Sequence, residues 1–290
     1  METTVIDREI AAPEKEHAIG SQPYSVYACP TCKRELEPRS GSLHCHACAL
    51  SYPILDGIPD FIAQNLEHIP DYDLRYIAKR DGSRWLNFLA SIYETYLYPP
   101  VCNLYGGWHS TSLQELAWNI SDIVGPTTGV ILDVACGPGT YGRRVASTSR
   151  AIYGIDISLS MLSQGVRYVE RDGLPNVHFA RARVEALPFA SGLFDASICA
   201  GSLNHFPDTV LALREINRTM KAGAPLAAMC FVVSNRGLLK YKFMGDRVER
   251  IGGHIFALPD LGRHVAEAGF EDFHLRLYGA IVVLSARKIS

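Results

Sequence analysis

The chain has 290 residues, of which 48 % are hydrophobic and 20 % charged, with a formal net charge of −2. That composition supports a sizeable core in one large domain or two unequal ones, and its charge balance does not advertise a polyanionic partner, although averaging can hide a local basic patch. No apolar run approaches the roughly 20 residues that a bilayer-spanning helix needs, and the polar, acidic stretch from Met1 to Glu16 is no secretory signal, so a cytoplasmic protein is expected.

After an N-terminal extension, residues 1–24, comes a cysteine-bearing module at 25–62. Cys29 and Cys32 form one C-x-x-C, and Cys45 and Cys48 form another, with twelve residues between the pairs. Two such knuckles can close a tetrahedron of thiolates around zinc. Disulfides are disfavoured in a reducing cytosol, and a thioredoxin-like redox pair needs only one C-x-x-C. His44 and His46 flank Cys45 as alternative ligands, but the cysteine set is complete without them, and they read as surface groups. Four thiolates leave no open coordination position, so the zinc is expected to be structural. Tyr52, Ile54 and Phe61 offer apolar surface, and Asp56-Gly57 marks a hairpin turn. The run from Cys29 to Phe61 resembles a family of small zinc-ribbon proteins. Some of its members are stabilising partners of methyltransferases, so the resemblance implies a protein partner as one use of the ribbon.

Residues 63–125 are crowded with aromatics: Tyr72, Tyr76, Trp85, Phe88, Tyr93, Tyr96, Tyr98, Tyr105 and Trp108. Ser112 to Glu115 reads as a capping box, opening a helix with Leu113, Leu116, Ile120 and Ile123 inward. The aromatics suit helix packing, and they equally suit an apolar pocket or a cation held over ring faces.

From residue 126 to 290 the pattern alternates strand and helix, as in a parallel sheet. Val130 to Val134 is an apolar strand carrying Asp133, and Ala135-Cys-Gly-Pro-Gly-Thr-Tyr-Gly142 is a small-residue turn. Gly137 and Gly139 let a ligand approach the backbone closely. Gly137, Gly139 and Gly142 also match the dinucleotide fingerprint, but an acid beside a pyrophosphate is repulsive, and Asp133 suits a cationic ligand better. Further strands are expected at 151–156, ending in Asp156, and at 177–184, 196–200 and 224–233. Helices are expected at 158–170, after 206 and at 260–269. A hairpin-like pair closes the chain at 270–277 and 280–287. Cys102, Cys136, Cys199 and Cys230 read as apolar filling.

The turn after the first strand resembles the glycine-rich loop of class I S-adenosylmethionine methyltransferases. Glu185-Ala-Leu-Pro-Phe189 followed by Phe194-Asp195 resembles their ubiquinone and menaquinone C-methyltransferase-like group. The resemblance spans about residues 110 to 288 and implies a Rossmann-like α/β sheet with an antiparallel last strand, beside the small zinc ribbon and a helical lid. It implies cofactor contacts from Asp133, Ala135, Gly137, Gly139, Asp156, Ile157, Met161, Val184, Glu185 and Ala200. Asp156 would accept from the ribose hydroxyls. One departure is Arg183, where the family has an adenine-binding Asp; a guanidinium accepts no hydrogen bond. His205 stands in the loop that faces the substrate. It is either a base that takes a proton from a hydroxyl or an acidic carbon, or a packing residue. Tyr93, in an Ile-Tyr-Glu context, resembles the lid tyrosine that approaches the cofactor. Tyr241 to His254, with Arg247, Arg250 and Gly252-Gly253, is a second candidate cover.

The expected activity is transfer of a methyl group from S-adenosylmethionine to oxygen or carbon of a small, apolar or aromatic molecule. The Asn-Pro-Pro-Tyr motif of amide and base N-methylation is absent. Two alternatives stand beside it. One is cyclisation of the cofactor's own chain to methylthioadenosine. The other is RNA methylation, for which Lys33, Arg34 and Arg39 are a thin set of ribbon cations.

Overall fold

The structure is a computed structural model, and it describes residues 24–62, 84–106, 113–125, 129–233 and 254–290. Tyr72, Tyr76, Trp108, the cap residue Ser112 and the 241–253 cover fall outside those residues, as does the side chain of Trp85.

Four short strands build the ribbon: β1 (Glu37–Arg39), β2 (Ser42–Cys45), β3 (Leu50–Leu55) and β4 (Ile58–Pro59), paired antiparallel in that order. Asp56 (φ 48°) and Gly57 (φ 80°) form the expected turn between β3 and β4. Both residues are left-handed, as the twist of a two-residue hairpin demands.

The second sheet has seven strands: β5 (Val130–Val134), β6 (Ala151–Asp156), β7 (Val177–Arg181), β8 (Ala196–Ala200), β9 (Pro225–Phe231), β10 (Phe270–Tyr278) and β11 (Ile281–Lys288). Their order is β10-β11-β9-β8-β5-β6-β7. Strands β5 to β9 run parallel, and β11 lies antiparallel between β9 and β10. This is the Rossmann-like sheet with an antiparallel last strand. Seven helices accompany it: α1 (Arg84–Ile92), α2 (Tyr98–Tyr105), α3 (Leu113–Val124), α4 (Gly142–Val145), α5 (Leu159–Asp172), α6 (Thr209–Thr219) and α7 (Leu258–Glu267) among the described residues.

Side-chain alternation along the strands splits the core in two. Val130, Leu132 and Val134 face one layer, with Leu213 and Ile216 of α6, Leu261 and Val265 of α7, and the ribbon's Tyr27, Tyr52 and Phe61. Ile131, Ile152 and Ile198 face the other, with Tyr98 of α2, Leu116 and Ile120 of α3, and Leu162 of α5. Ribbon and lid thus pack mainly against opposite faces of one sheet, with the ribbon's Ile58 joining the second layer at the sheet edge.

Some boundaries differ from expectation for local reasons. β7 stops at Arg181, with Ala182 N donating the ladder's last bond to Asp156 O at 3.2 Å, because Val184–Ala186 then closes a 3-10 turn. The helix after the glycine-rich turn is a single turn. Thr148 and Ser149 hydroxyls return to Val145 O at 3.1 and 2.7 Å, competing with helix propagation. Ile123 is half-buried rather than fully inward.

The ribbon joins the sheet at its β7 edge. Asp60 pairs parallel with Arg181, and Phe61 N donates to Arg181 O at 2.8 Å. Tyr27 bridges Phe189, and Ala28 N donates to Pro188 O at 2.9 Å. Beneath these lies a buried ion pair, Arg181 Nη1 to Asp60 Oδ2 at 3.0 Å, with Asp60 1 % exposed. An otherwise open sheet edge is therefore covered in cis.

Candidate cofactor site and metal centre

The four cysteine sulfurs of the ribbon lie within 4.8 Å of one another, with Cys32 to Cys45 at 3.5 Å and Cys29 to Cys48 at 3.9 Å. A tetrahedron with bonds of ~2.3 Å has edges of ~3.8 Å, so the sulfurs already stand where zinc would place them. The Tyr52 hydroxyl, 3.3 Å from Cys29 Sγ, can donate to that thiolate and orient it. His44 and His46 stand apart from this group. They pack edge to face, and His46 lies 2.8 Å from Glu37 on the surface.

The second site forms at the carboxyl ends of β5, β6 and β8, where open α/β sheets bind ligands. Asp133 is 1 % exposed and accepts from Gly142 N at 2.9 Å, so it ties the far end of the turn back to the strand. A Cβ on Gly142 would stand 2.7 Å from the Asp133 carboxylate, which is why no other residue fits there. Burial pushes the Asp133 pKa up to about 7, partly offset by that amide and reinforced by nearby Asp156. Ala135 holds a positive φ of 51°, an uncommon conformation for a residue with a Cβ and one that clusters at functional sites. Gly139 (φ 76°) has the Phe179 ring against it, 3.0 Å from where a Cβ would sit. Gly139 and Gly142 thus let the turn pack closely on the Phe179 ring and the Asp133 carboxylate.

Asp156 accepts from Gly137 N through one oxygen and from Ser158 N through the other, both at 2.8 Å. Ile157 and Met161 follow, with Ser158 capping α5 by accepting from Met161 N. Arg181 Nε donates to Ile157 O at 2.9 Å. After β7, Val184 and Glu185 lie in the 3-10 turn, and Arg183 pairs with Glu185 at 3.3 Å. Ala200 ends β8, and His205, half-buried, closes the short turn Leu203–His205 beyond it.

Sequence reasoning named Tyr93 and Tyr98 but not the contacts that they make at this rim, and it missed Tyr141 and Asn204 there. Tyr98 and Tyr141 share a buried hydroxyl–hydroxyl hydrogen bond of 3.0 Å, and the Tyr98 hydroxyl lies 2.9 Å from where a Cβ of Gly201 would be. Tyr93 stacks on Tyr98 with centroids 5.2 Å apart, because a π-turn at Tyr93–Leu97 puts residues five apart in register. That spacing was the available signal, but it reads as nothing in a 3.6-residue period. Asn204 accepts from Phe231 N at 2.6 Å and donates to His254 O at 2.6 Å, fixing the loop after β8 to the loop after β9. Cys136 and Cys199 are buried with thiol pKa values pushed up by burial, as apolar filling requires.

A seven-stranded sheet with an antiparallel last strand, a glycine-rich turn after its first parallel strand and an acid ending the next are features of class I S-adenosylmethionine-dependent methyltransferase domains, to which this part of the chain is similar. Residues 131–223 match the family model described as methyltransferase domain, and residues 26–57 match that of Trm112p-like protein. S-adenosylmethionine is the cofactor that such a domain takes, and zinc is the ion that fits the four cysteines. More particularly, the chain is similar to a ubiquinone/menaquinone biosynthesis C-methyltransferase of Bartonella henselae, 34 % identical over 143 residues, covering 48 % of this chain and 52 % of that protein. Two solved structures share the fold. Geranyl diphosphate C-methyltransferase from Streptomyces coelicolor matches with TM-score 0.53 at 15 % identity over 60 % of this chain and 78 % of that one. The cyclase SpnF matches with TM-score 0.55 at 22 % identity over 70 % and 94 %. The chain spans about half the length of the curated relatives it matches. No described helix is long and apolar enough to cross a membrane.

Proposed function

We propose that the protein transfers the methyl group of S-adenosylmethionine to carbon or oxygen of a small apolar or aromatic acceptor, with quinol-like rings as the leading class. The observation that carries this is the meeting of a glycine-rich turn, an acid at the end of the next strand and a tyrosine-rich helix pair at one rim of the sheet. When bound, S-adenosylmethionine supplies an electrophilic methyl on a sulfonium. The protein's work is then to align the acceptor and exclude water.

In this reading Asp156 accepts from the ribose, with Ile157 and Met161 beside it. Ala135, Gly137 and Gly139 bare the backbone for the methionine portion, and Asp133 holds that turn and favours a cation. Val184 and Glu185 face the adenine, and Arg183 serves as the counter-ion that fixes Glu185 in place of the family's Asp. Ala200 lines the floor. His205 takes a proton from the acceptor, and Tyr93 faces it from the lid. The similarity to a quinone C-methyltransferase supports the acceptor class.

The ribbon cations argue against RNA as acceptor. Lys33 is drawn to Glu215 and Leu187 O, and Arg39 to Glu37. The ribbon's apolar face is spent on its own catalytic domain, so its first partner is internal. Four persisting thiolates suit a reducing, cytoplasmic setting.

The test is mass spectrometry of the purified protein incubated with S-adenosylmethionine and a demethylated benzoquinol. S-adenosylhomocysteine together with a product one methylene heavier is expected. Methylthioadenosine formed without any acceptor would overturn the reading in favour of chemistry on the cofactor itself.

A further inference from the structure

We infer that Arg143 is a latch: it ties the helix pair α1–α2 to the glycine-rich turn through Glu94, and release of that pair gates cofactor exchange. The inference rests on the methyltransferase reading and names a positioning residue that neither sequence nor similarity supplies.

The path of the helix pair comes first. From α1 to the end of α2 it runs over the carboxyl rim of the sheet. Tyr168 of α5 donates to Ser91 O at 3.3 Å, Tyr98 meets Tyr141 and Gly201, Tyr105 packs on Phe231 at 4.8 Å, and Tyr105 O accepts from Ala280 N at 2.8 Å. Those partners stand on α5, in the glycine-rich turn, just past β8, at the end of β9 and in the β10–β11 turn. A ligand on the glycine-rich turn therefore lies under this pair.

One guanidinium joins the pair to the turn. Arg143 pairs with Glu94 through Nη2 and with Asp172 through Nη1 at 3.0 Å. Its Nε donates to Pro138 O at 3.2 Å, and its plane lies 4.6 Å over the Tyr168 ring. Pro138 stands between Gly137 and Gly139, so the group that grips the lid also grips the turn. The Arg143 side chain is 9 % exposed and that of Glu94 20 %, which spares the pair most solvent screening.

The helix pair is also made to move. Glu94 sits in the π-turn, an irregular helical geometry that is frequent at functional sites. Phe88 and Tyr96 stand more than half exposed, so α1–α2 is only partly packed down. Asp172, Pro138 and Tyr168 stay on the core side. Loss of Glu94 thus frees the lid and leaves Arg143 with its other partners.

The experiment measures association and dissociation of S-adenosylhomocysteine on the full, zinc-loaded chain by stopped flow. Glu94→Gln should speed dissociation by roughly tenfold or more and should also speed association, because an unlatched lid is more often open. Affinity then falls less than the dissociation rate rises. Glu94→Asp, which keeps the charge, should lie between the wild type and Glu94→Gln. Lys221→Gln breaks a separate pair with Asp195, 2.6 Å apart on the far side of the sheet's chain path, and should leave both rates unchanged. Two results would defeat the latch: dissociation within twofold of wild type in Glu94→Gln, or faster dissociation with slower association, the mark of general loosening. A wild-type chain that binds no S-adenosylhomocysteine would instead bring down the methyltransferase reading, and the latch with it.

Discussion

The ribbon and the lid attach to the same sheet in different ways. The ribbon lies on the face of α6 and α7 and is joined by backbone bridges at residues 27 and 60, a buried ion pair and a shared aromatic core of Tyr27, Tyr153, Phe189 and Phe194. The lid lies on the other face and is held among the described residues by side-chain contacts, Tyr98 to Tyr141, Glu94 to Arg143 and Tyr168 to Ser91 O, and by a backbone bond at its far end, Ala280 N to Tyr105 O. Main-chain pairing and continuous burial make a permanent joint. Polar side-chain contacts over a rim make one that can open. Yet both joints bear on the cofactor site, since Arg181 carries the ribbon's Asp60 on one side and Ile157 O on the other.

The largest effect should come from zinc. A structural zinc in small zinc-finger domains stabilises by about 10 kcal/mol or more, and here the ribbon shares its core with the catalytic domain. Chelation, or Cys45→Ser, should lower the melting temperature of the whole chain and weaken binding of S-adenosylhomocysteine. Calorimetry with and without chelator checks it. Two separate transitions would show that the joint is not permanent after all.

Next comes the ion pair itself. Asp60→Ala leaves Arg181 charged and nearly buried, at 10 % side-chain exposure. Breaking such a pair costs about 3–5 kcal/mol, read as a lower denaturant midpoint. Lid variants should cost far less. If Glu94→Ala destabilises as much, the contrast between the two joints fails.

How far the sequence carries depends on which physical rule decides each element. The strand and helix order of the catalytic domain was legible because period-2 and period-3.6 patterns are local, and the knuckles were legible because zinc fixes ligand type and spacing. The Arg181–Asp60 pair was not, since its partners lie 121 residues apart and neither has a patterned neighbourhood. The π-turn was not, because a five-residue register has no hydrophobic signature. Arg183 stood out in the sequence as a departure from the pattern that the resemblance implies, but its pairing with Glu185 only shows in three dimensions.

Asp133 sharpens the comparison from the site that both joints support. Its pKa is pushed from 3.8 up to about 7. Between those values the folded chain keeps a proton that the unfolded chain has lost. Folding then takes up a proton, so stability falls as pH rises from about 4 to about 7 and levels off above. The full fall is of order 4 kcal/mol. Asp133→Asn, which can still accept from Gly142 N, should flatten that slope in denaturant titrations across the window. An unchanged slope would mean that Asp133 ionises freely, at odds with its burial.

The smallest effects should have opposite signs in the two regions. Tyr27, in the ribbon, buries its hydroxyl with no hydrogen-bond partner among the described residues. A buried donor without a partner is a cost, so Tyr27→Phe should leave stability unchanged or raise it by up to about 1 kcal/mol, because the ring contacts that make the joint are kept. Tyr98, in the lid, has the Tyr141 hydroxyl as partner. Tyr98→Phe keeps the stack on Tyr93 but leaves the Tyr141 hydroxyl with only Met229 Sδ, 3.9 Å away. A thioether accepts weakly, so the loss should be about 1 kcal/mol, with faster release of S-adenosylhomocysteine as its functional counterpart. Equal signs for the two substitutions would mean that the lid, like the ribbon, is held by its rings and not by its polar contacts.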